Sequence, residues 1–430
     1  GAGEKFSVRL MQALLLARQA RCAVLDAAQL VKSQGDYLNA VADIPATQAA
    51  FATVDFQDGV DIRIMAGFVS SLPSGELALL GRNGSDYSAA IIAAGVQASA
   101  CEIWTDVDGV YSADPRQVKG ARLIDALSYA EAMELSYFGA KVLHPKTIGP
   151  LAQAGIPCVI KNTLNPSAPG TRIGTDGGSD RVKGISSLED LALLTLSGPG
   201  LKGVVGMASR TFAAMAREQV SVNLITQSSS EFSISFCIAE SDLKRATAAL
   251  QAEFELELQA ALLDPLGIET DMAIVSLVGD GMRQSKGMAA KFFASLAQAR
   301  VNVVAIAQGS SERSISAVIR SRHCADAIKV CHENFFTHVP SIDVFLVGCG
   351  VIGGELLDQF HRQKAVLAAR QVKLCVYGIA NSGSLLLDAD GIDLSAWKTA
   401  MAASTQAFTR EALVAFVQDN HLTNPVLIEC

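Results

Sequence analysis

The segment LGRNGSDYSAAIIAA, residues 80–94, combines residue types that suit the binding of a small zwitterion. Gly84 allows a turn, and Ser85 is a preferred residue type for the N-cap of the apolar helix that follows. The free amides and the positive dipole end of such a helix attract an anion. Arg82 adds a planar fork for a carboxylate, and Asp86 can receive an ammonium group. The segment predicts an α-amino-acid pocket, or else an ordinary capped helix with Arg82 and Asp86 paired at the surface.

The segment IWTDVDGVYSADPR, residues 103–116, supplies a second set of polar groups directly after an apolar strand. Ligand sites of α/β proteins lie at the carboxyl ends of strands, and Gly109 would permit a close backbone approach there. A nucleotide suits this set, because the base can lie on a flat tyrosine face. The candidate nucleotide-binding residues are Thr105, Asp106, Tyr111, Asp114 and Arg116. Each of them also suits a turn without any ligand, so turn formation is the alternative.

The segment FGAKVLHPKT, residues 138–147, places Lys141 beside small residues and before a His-Pro break. A lysine in this setting can contact a phosphate group. The alternative is a solvated lysine at a helix C-terminus, where the helix dipole favours a cation.

An internal repeat occupies the middle of the chain. A shift of 81 positions aligns residues 196–235 with 277–316 without a gap, with nineteen identities in forty positions. Each copy predicts a strand, a Gly-rich turn, a helix and two more strands, a βαββ unit with helices on one antiparallel sheet. Such a unit is too small to bury its apolar faces alone, so the copies are expected to pair. Gln227 and Gln308 each follow an apolar strand at a turn, where a small polar ligand could bind.

The segment FLVGCGVIGG, residues 345–354, has the G-x-G-x-x-G spacing of a dinucleotide-binding turn between a strand and a helix. The residues of this fingerprint are Gly348, Gly350, Val351, Ile352 and Gly353. The next strand ends in GIANSGS, with Asn381 and Ser382 where an acidic residue would hold the ribose of NAD. NADP and NAD therefore both stay possible.

The elements that must position these groups follow from periodicity. FSVRLMQALLLARQA has helical spacing, whereas CAVLDA, DIRIMAGFV, CEIWTDV and IPCVIKN are short apolar segments typical of buried strands. Their alternation predicts a three-layer α/β domain with a largely parallel sheet. The Pro/Gly/Ser-rich segment NPSAPGTRIGTDGGSDR predicts a linker. The predicted domains are 1–164 (α/β), 165–181 (linker), 182–338 (paired repeats) and 339–430 (the N-terminal part of a dinucleotide-binding Rossmann domain).

The composition argues against several classes of function. A net charge of −8 over 430 residues, with no Lys/Arg-rich run, disfavours nucleic-acid and anionic membrane partners. The sequence contains neither a signal peptide nor an apolar run of about 18 residues. Nine scattered cysteines without C-x-x-C spacing predict free thiols in a reducing cytoplasm. His323-Cys324 and Cys331-His332 do not match a usual zinc spacing, so no metal site is expected.

Three ordered motifs, LGRNGSDYSAA, EIWTDVDGVYSADPR and ELSYFGAKVLHP, resemble the aspartate kinase family, whose members have the amino-acid kinase fold. The doubled QSSSEFSIS and QGSSERSIS resemble that family's paired ACT regulatory modules, which are ferredoxin-like α+β units. The Gly-rich strand after them resembles the homoserine dehydrogenase half of bifunctional aspartokinase/homoserine dehydrogenases. Both repeats are most similar to the threonine-sensitive type, and the resemblance covers essentially the whole chain.

The resemblance implies ATP-dependent phosphorylation of L-aspartate to 4-phospho-L-aspartate, with Mg²⁺ entering with ATP, under feedback control by L-threonine. The parent enzyme would also reduce aspartate semialdehyde to homoserine, within the biosynthesis of threonine, methionine and lysine. ACT pairing implies a homo-oligomer, a dimer or tetramer. The residues implied are, for aspartate, Glu4, Phe68, Arg82 and Ser85; for catalysis, Asp86 and Lys141; for ATP, Lys141 with Thr105, Asp106, Tyr111, Asp114 and Arg116; and for threonine, Gln227 and Gln308.

Two departures from the family pattern change the expectation for this chain. The family begins with a strand carrying K-F-G-G-T-S, whose lysine and glycines hold the transferring phosphate, and residues 1–7 match the family some way beyond it. The substrate-binding domain of the dehydrogenase, with its acid–base lysine and aspartate, would follow Cys430. We therefore expect a fragment that lacks the kinase N-terminus and the dehydrogenase C-terminal part, with an incomplete NAD(P) site and negligible turnover.

Two further interpretations stay open. The chain could be a non-catalytic module that senses threonine and dimerises, and a kinase assay against the full-length parent would separate this from an enzyme. The paired repeats could also have lost their ligand response, although the presence of Gln227 and Gln308 argues against that loss.

Overall fold

The computed structural model describes the chain except for residues 1, 82, 139–143, 229–231, 310, 337–340, 370–371, 421 and 423. The chain divides into two units, which are Gly1–Phe293 with Val301–His332, and Ala294–Arg300 with Glu333–Cys430. Two predicted functional residues, Arg82 and Lys141, lie outside the described residues. The predicted domain boundary at residue 338 lies outside them as well.

The first part of the chain alternates helices and strands, as its periodicity predicts. Its helices are Ala2–Ala17 (α1), Ala27–Leu30 (α2), Ile44–Phe51 (α3), Gly84–Gly95 (α4), Tyr129–Tyr137 (α5) and Pro145–Ala154 (α6). Its strands are Cys22–Leu25 (β1), Ser33–Gln34 (β2), Val41–Ala42 (β3), Ile62–Met65 (β4), Val69–Ser71 (β5), Leu77–Leu79 (β6), Cys101–Thr105 (β7), Ala126–Ser128 (β8), Cys158–Asn162 (β9) and Thr171–Gly174 (β10). Local caps set several helix starts: Asp43 accepts a hydrogen bond from the amide of Ala46, and Ser128 and Glu131 form a capping box on α5.

These strands are distributed over several sheets, whereas the alternation predicts one largely parallel sheet. β1 pairs with β4 in parallel, and β2–β3 and β5–β6 form antiparallel pairs. A four-stranded sheet has the order β7-β9-β10-β8, in which β9 and β10 are antiparallel and the outer pairs are parallel. The connection from residue 162 to 171 is too short for a parallel crossover, so β10 must return antiparallel to β9.

The prediction of a linker at 165–181 is wrong for β10, which lies inside it. Thr171 is fully buried, and its hydroxyl accepts a hydrogen bond from the amide of Val110 at 2.8 Å and donates to the carbonyl of Ile124 at 2.7 Å. A strand of four residues is too short to give a periodic signal among Pro, Gly and Ser. Pairing with β8 and β9, rather than local sequence, therefore determines its structure.

The two copies of the repeat form one continuous antiparallel sheet. The first copy contains Gly184–Ser197 (β11), Met207–Arg217 (α7), Val222–Gln227 (β12) and Ser233–Ala239 (β13), followed by Leu243–Glu253 (α8) and Glu255–Gln259 (α9). The second contains Gly267–Val278 (β14), Met288–Gln298 (α10), Ala305–Gln308 (β15) and Ser314–Arg320 (β16), followed by Cys324–Phe336 (α11). Short 3₁₀ turns lie at Pro199–Leu201, Glu240–Asp242, Asp280–Gln284 and Ser321–His323. The strand order is β12-β13-β11-β14-β16-β15, so the predicted βαββ units pair through β11 and β14.

The last part of the chain has a parallel core. Its elements are Ser341–Val347 (β17), Val351–Ala369 (α12), Lys373–Ala380 (β18), Leu385–Leu387 (β19), Trp397–Ala403 (α13), Arg410–Asp419 (α14) and Pro425–Glu429 (β20). β17 pairs in parallel with β18 and with β20, and β19 adds an antiparallel edge strand. Buried apolar side chains on one face of these strands pack with α12 and α13, including Leu357 and Trp397, and those on the other face pack with Leu413 of α14.

Two bulk properties follow from the structure. All nine cysteines lie in the described residues and are free thiols. Among the helices of the described residues, none combines the length and the hydropathy that a membrane crossing requires.

Candidate functional site

The loop between β4 and β5 packs directly on the start of α4. A Cβ atom on Gly84 would lie 2.5 Å from Cδ2 of Phe68, and one on Gly67 would lie 3.2 Å from Cα of Ser85. Phe68 has a left-handed φ of 72°. Its amide donates to Oγ of Ser88 at 2.8 Å, and that hydroxyl donates to the carbonyl oxygen of Gly84 at 2.6 Å. The small residue at 84 therefore allows Phe68 and Ser85 to lie side by side.

A cleft of about 390 Å³ adjoins this loop. It lies between the first turns of α1 and the end of β4. The lining residues are Gly3, Glu4, Ser7, Val8, Met65, Ala66 and Gly67. The structure thus brings Glu4, from the first turn of α1, to the same loop that contacts Ser85. Of the four residues predicted for aspartate, Glu4 lines the cleft, Ser85 packs on its lining residue Gly67, and Phe68 is the next residue of the same loop. The fourth, Arg82, lies outside the described residues.

The predicted N-cap role of Ser85 is wrong. α4 begins one residue earlier, at Gly84, and its N-cap is Asn83, which has a left-handed φ of 55° and makes no side-chain cap hydrogen bond. The hydroxyl type of Ser85 suggested a cap, but the close packing of Phe68 on residue 84 places the helix start there. Asp86, in the first turn, is half-buried, and this burial raises its pKa. An ammonium partner would reverse that effect.

Two of the predicted nucleotide-binding residues, Thr105 and Asp106, lie at the carboxyl end of β7, which pairs in parallel with β9. Thr105 ends β7 opposite Asn162, which ends β9, and its hydroxyl donates to Asp106 at 3.1 Å. Asp108 accepts hydrogen bonds from the amides of Asn162 at 2.8 Å and Asn165 at 3.2 Å. Sequence reasoning missed Asp108, Asn162 and Asn165. The signal was available, because Asn162 ends an apolar strand, and Asp108 and Asn165 each lie three residues beyond the end of one.

The other three nucleotide candidates follow in the next loop. Tyr111 is half-buried, and burial followed by the nearby Asp108 raises its pKa. Asp114 and Arg116 form an ion pair of 2.6 Å, and Asp114 also accepts from the amide of Arg116 at 2.9 Å. The pair therefore closes a turn, which is the alternative to nucleotide binding that the sequence analysis gives for these residues. The guanidinium of Arg116 is largely exposed.

Lys146, in the segment 138–147, lies near the start of the segment 80–94. Lys141 lies outside the described residues, but Lys146, eight residues after Phe138, donates to Oδ1 of Asn39 at 2.6 Å. The same Oδ1 atom would lie 2.5 Å from a Cβ atom on Gly81. Lys146 is thus close to Gly81, which precedes Arg82 in the sequence, and sequence reasoning did not select it.

The predicted threonine residues occupy equivalent positions at the two edges of the six-stranded sheet. Gln227 pairs with Ile234, and Gln308 pairs with Ile315, in the same register. Gln227 lines a cavity of about 370 Å³ between the Gly-rich turn and the start of α7. The remaining lining residues are Leu201, Gly203, Val204, Val205, Gly206, Met207, Ala208 and Ile234.

The predicted dinucleotide turn joins β17 to α12. Gly348 has φ of 97°, and a Cβ atom there would lie 2.2 Å from the carbonyl oxygen of Cys430. A Cβ on Gly353 would lie 1.9 Å from the carbonyl oxygen of Gly348, so both glycines are needed for packing. Gly350 faces open space, and Val351 and Ile352 are exposed in the first turn of α12.

The end of β18 lies at the same edge of this parallel sheet. Oδ1 of Asn381 accepts from the amides of Gly383 at 2.8 Å and Ser384 at 2.7 Å. Asn381 therefore closes a turn, and Ser382 is exposed within it. The binding of the ribose by Asn381 and Ser382 stays a prediction.

Comparisons with known proteins identify the family. Residues 1–162 match the amino acid kinase family, and residues 194–254 and 275–335 match the ACT domain. A bifunctional aspartokinase/homoserine dehydrogenase of Haemophilus influenzae is 50% identical over 431 residues, which cover 100% of this chain and 53% of that protein. E. coli aspartokinase III, in complex with lysine and aspartate, is 30% identical with a TM-score of 0.61 over 78% of this chain and 74% of that one. The chain belongs to the aspartokinase family.

A second crystal structure of E. coli aspartokinase III, in complex with aspartate and ADP, matches this chain with 29% identity and a TM-score of 0.67 over 78% of this chain and 74% of that one. These likenesses confirm the predicted amino-acid kinase fold and the paired ACT modules of this aspartokinase-family chain. The chain spans about half the length of the bifunctional relative from Haemophilus influenzae.

Proposed function

We propose that this chain carries the aspartate-phosphorylating and amino-acid-sensing parts of a bifunctional aspartokinase/homoserine dehydrogenase. The observation that carries the proposal is that Glu4 and Gly67 line one cleft, while Ser85, in the first turn of α4, packs on Gly67. The related E. coli enzyme was crystallised with aspartate and ADP, which supports these two ligands.

The proposed chemistry is the transfer of the γ-phosphoryl group of ATP to the β-carboxylate of L-aspartate. The start of α4, with Arg82, would receive the α-carboxylate, and Asp86 would receive the ammonium group. ATP would lie at the ends of β7 and β9, beside Thr105 and Tyr111. Asp106 and Asp108 provide the hard oxygen atoms that suit a Mg²⁺·ATP complex. In such reactions, positioning and charge neutralisation supply most of the rate enhancement.

Calorimetric titration of the 430-residue chain with L-aspartate tests the substrate assignment. Replacement of Asp86 by Asn should weaken aspartate binding by about tenfold or more, because a charge-assisted hydrogen bond is lost. ATP binding should stay unchanged. The matched control is Asp61→Asn, which breaks the exposed pair with Arg21 in the same part of the chain. Equal losses for aspartate and ATP would count against an aspartate role.

We further propose that the paired ACT modules bind L-threonine next to Gln227 and Gln308. The cavity at Gln227 has the size and the mixed apolar and amide lining that suit this amino acid. At about 100 times its dissociation constant, threonine should stabilise the folded chain by roughly 2.7 kcal/mol. Melting curves with threonine, lysine and methionine test this, and Gln227→Ala should remove the shift. An equal shift with all three amino acids, or with none, would contradict threonine sensing.

The βαβ unit β17–α12–β18 supports the binding of a nicotinamide dinucleotide. Gly350 faces open space, so a valine there should fold normally but should block the approach of a pyrophosphate to the start of α12. Titration with NADPH and NADH, followed by cofactor fluorescence, tests this site. Val366→Ala, at an exposed position of α12 away from the Gly-rich turn, is the control. Equal binding by the Gly350→Val variant and the unchanged chain would contradict the proposal.

A further inference from the structure

Helix α5 lies across both copies of the repeat, against the central strands β11 and β14. At its C-terminal end, the hydroxyl of Tyr137 lies 3.0 Å from the carbonyl oxygen of Val222 and 3.2 Å from that of Asn223, in the first copy. At its N-terminal end, α5 is bonded to the Gly-rich turn of the second copy. Along the sequence, α5 is followed by the segment 138–147, which contains Lys141.

The contact at the N-terminal end is a closed hydrogen-bond network. Glu131, which is 1% exposed, accepts from the amide of Ser128 at 2.8 Å and from the amide of Asp280 at 2.8 Å. The hydroxyl of Ser128 donates to Oδ2 of Asp280 at 2.6 Å, and Arg313 donates to Oδ1 of the same carboxylate. A Cβ atom on Gly177 would lie 2.2 Å from Oε2 of Glu131, so the glycine leaves room for this carboxylate.

The first copy cannot form this contact. A shift of 81 positions places Pro199 at the position of Asp280 and Phe232 at the position of Arg313. Neither residue can supply the carboxylate or the guanidinium. The corresponding turn of the first copy lines the cavity at Gln227 instead. The Gly-rich turn of the second copy can therefore anchor α5, whereas the corresponding turn of the first copy cannot.

We propose that Asp280 is the residue through which the paired ACT modules control the position of α5, with Ser128 and Glu131 as the positioning residues on the kinase side. A ligand can shift α5 only if it binds one arrangement of the modules better than another. β11 and β14 run side by side from the first copy to the turn that contains Asp280, so a ligand at Gln227 can act on that turn through them. This inference rests on the proposed binding of threonine.

Hydrogen–deuterium exchange on the 430-residue chain, with and without saturating threonine, tests the inference. Threonine should change the exchange rates of amides in 129–138 by about fivefold or more. In Asp280→Asn, threonine should bind with its affinity almost unchanged, but the response of 129–138 should disappear. Arg313→Met, at a partly exposed position, should give the same result without altering Asp280 itself. Glu269→Gln is the matched control, because Glu269 pairs with Arg320 in the same module and takes no part in the network with α5.

The outcomes separate this inference from the proposed function. A response of 129–138 that persists in both variants would overturn the role of Asp280. Threonine binding without any response of 129–138 in the unchanged chain would also overturn it, while the sensing proposal would stand. If threonine does not bind the unchanged chain, the sensing proposal fails and this inference fails with it. Loss of the response in Glu269→Gln as well would indicate a general loosening of the module, and this too would overturn a specific role for Asp280.

Discussion

The two copies of the repeat are related by a pseudo-twofold axis between β11 and β14, and their backbone hydrogen bonds follow it closely. The amide of Lys183 donates to Val278 at 2.8 Å, and the amide of Asp264, 81 positions later, donates to Ser197 at 2.8 Å. In each copy, the Gly-rich turn packs against the segment that precedes the first strand of the other copy. The side chains of the turns diverge, however, so the same backbone anchors α5 in the second copy but not in the first.

This difference shows how a duplicated unit can acquire two functions without losing its fold. Positions that face the partner copy keep their glycines, because a side chain there would clash with backbone. Positions that face elsewhere, such as Pro199 and Asp280, can differ freely. The duplication thus supplies a symmetric scaffold on which an asymmetric connection to the kinase part is built.

The largest expected effect concerns the cores of the two copies. Each holds a fully buried phenylalanine, Phe236 on β13 in the first and Phe292 on α10 in the second. Ala317 occupies the position equivalent to Phe236, and Thr211 the position equivalent to Phe292. The buried ring therefore lies on a strand in the first copy and on a helix in the second. Truncation of either ring to alanine should lower the free energy of unfolding by about 3–5 kcal/mol, measured by denaturant titration.

A double variant sharpens this test. Thr211→Phe with Phe236→Ala gives the first copy the arrangement of the second, so it should recover part of the loss caused by Phe236→Ala alone. Phe6→Ala, at a side chain that is 72% exposed, is the control and should change the free energy of unfolding by less than about 0.5 kcal/mol. No recovery in the double variant would show that the two cores are not interchangeable.

The next largest loss of stability is expected for substitutions of the glycines in each copy that face the other copy of the repeat. A Cβ atom on Gly198 would lie 2.6 Å from the carbonyl oxygen of Leu262, and one on Gly279 would lie 2.5 Å from that of Arg181. Gly198 also has φ of 141°, which disfavours any side chain, whereas Gly279 is extended. Alanine should destabilise by about 2–4 kcal/mol at Gly198 and about 1–3 kcal/mol at Gly279.

Thermal and denaturant unfolding of these variants measures the difference. The control is Gly149→Ala in α6, where a Cβ atom meets nothing within 4 Å and alanine is the better helix former. If Gly198→Ala and Gly279→Ala are as stable as the control, the packing across the pseudo-twofold axis is looser than these distances indicate.

The stability of the second copy should depend on pH through a buried histidine that the first copy does not have at the equivalent position. His332 on α11 is buried, its Nε2 atom lies 2.8 Å from Oγ of Ser112, and burial followed by the charge of Arg122 lowers its pKa to about 4. In the unfolded chain, the histidine binds a proton near pH 6.5, whereas the folded chain resists this protonation until about pH 4. The free energy of unfolding is therefore unaffected by this group above pH 6.5 and falls as the pH falls towards 4. The loss should reach about 2 kcal/mol at pH 4.5.

The first copy has Gln251 at the position of His332, so His332→Gln makes the two copies alike. Denaturant midpoints at pH 7, 5.5 and 4.5 should fall less steeply in this variant than in the unchanged chain. His361→Gln, at an exposed histidine of α12, is the control and should leave the pH dependence as it is. An identical pH dependence in His332→Gln would contradict the assignment.

Periodicity and the repeat predicted most of the architecture, because both are local or self-similar signals. The βαββ units, their pairing, and the strand–helix–strand order after residue 341 are all confirmed. The contacts that join the kinase part to the second copy were not predictable. Ser112 and His332 are 220 residues apart, and Glu131 and Asp280 are 149 residues apart, so no local pattern links them. The wrong cap at Ser85 has a similar cause, since the ring of Phe68 decides where α4 begins.

The smallest expected effect concerns an ion-pair network of the first copy. Arg210 on α7 donates to Oε1 of Glu253 at 2.9 Å and to Glu257, and its guanidinium lies 4.6 Å from the ring centre of Phe254. These groups are partly exposed, so solvent screens much of the attraction. Arg210→Met should lower the free energy of unfolding by about 0.5–1 kcal/mol at low salt.

The second copy offers a matched comparison in Arg320→Met, because Arg320 pairs with Glu269 at a similarly exposed position. Arg210 contacts two carboxylates, those of Glu253 and Glu257, so its loss should cost more than the loss of Arg320. Raising the salt concentration should shrink the effects of both variants, because exposed charges are screened. If the effect of Arg210→Met is instead independent of salt, the contribution comes from its packing on Phe254 rather than from charge.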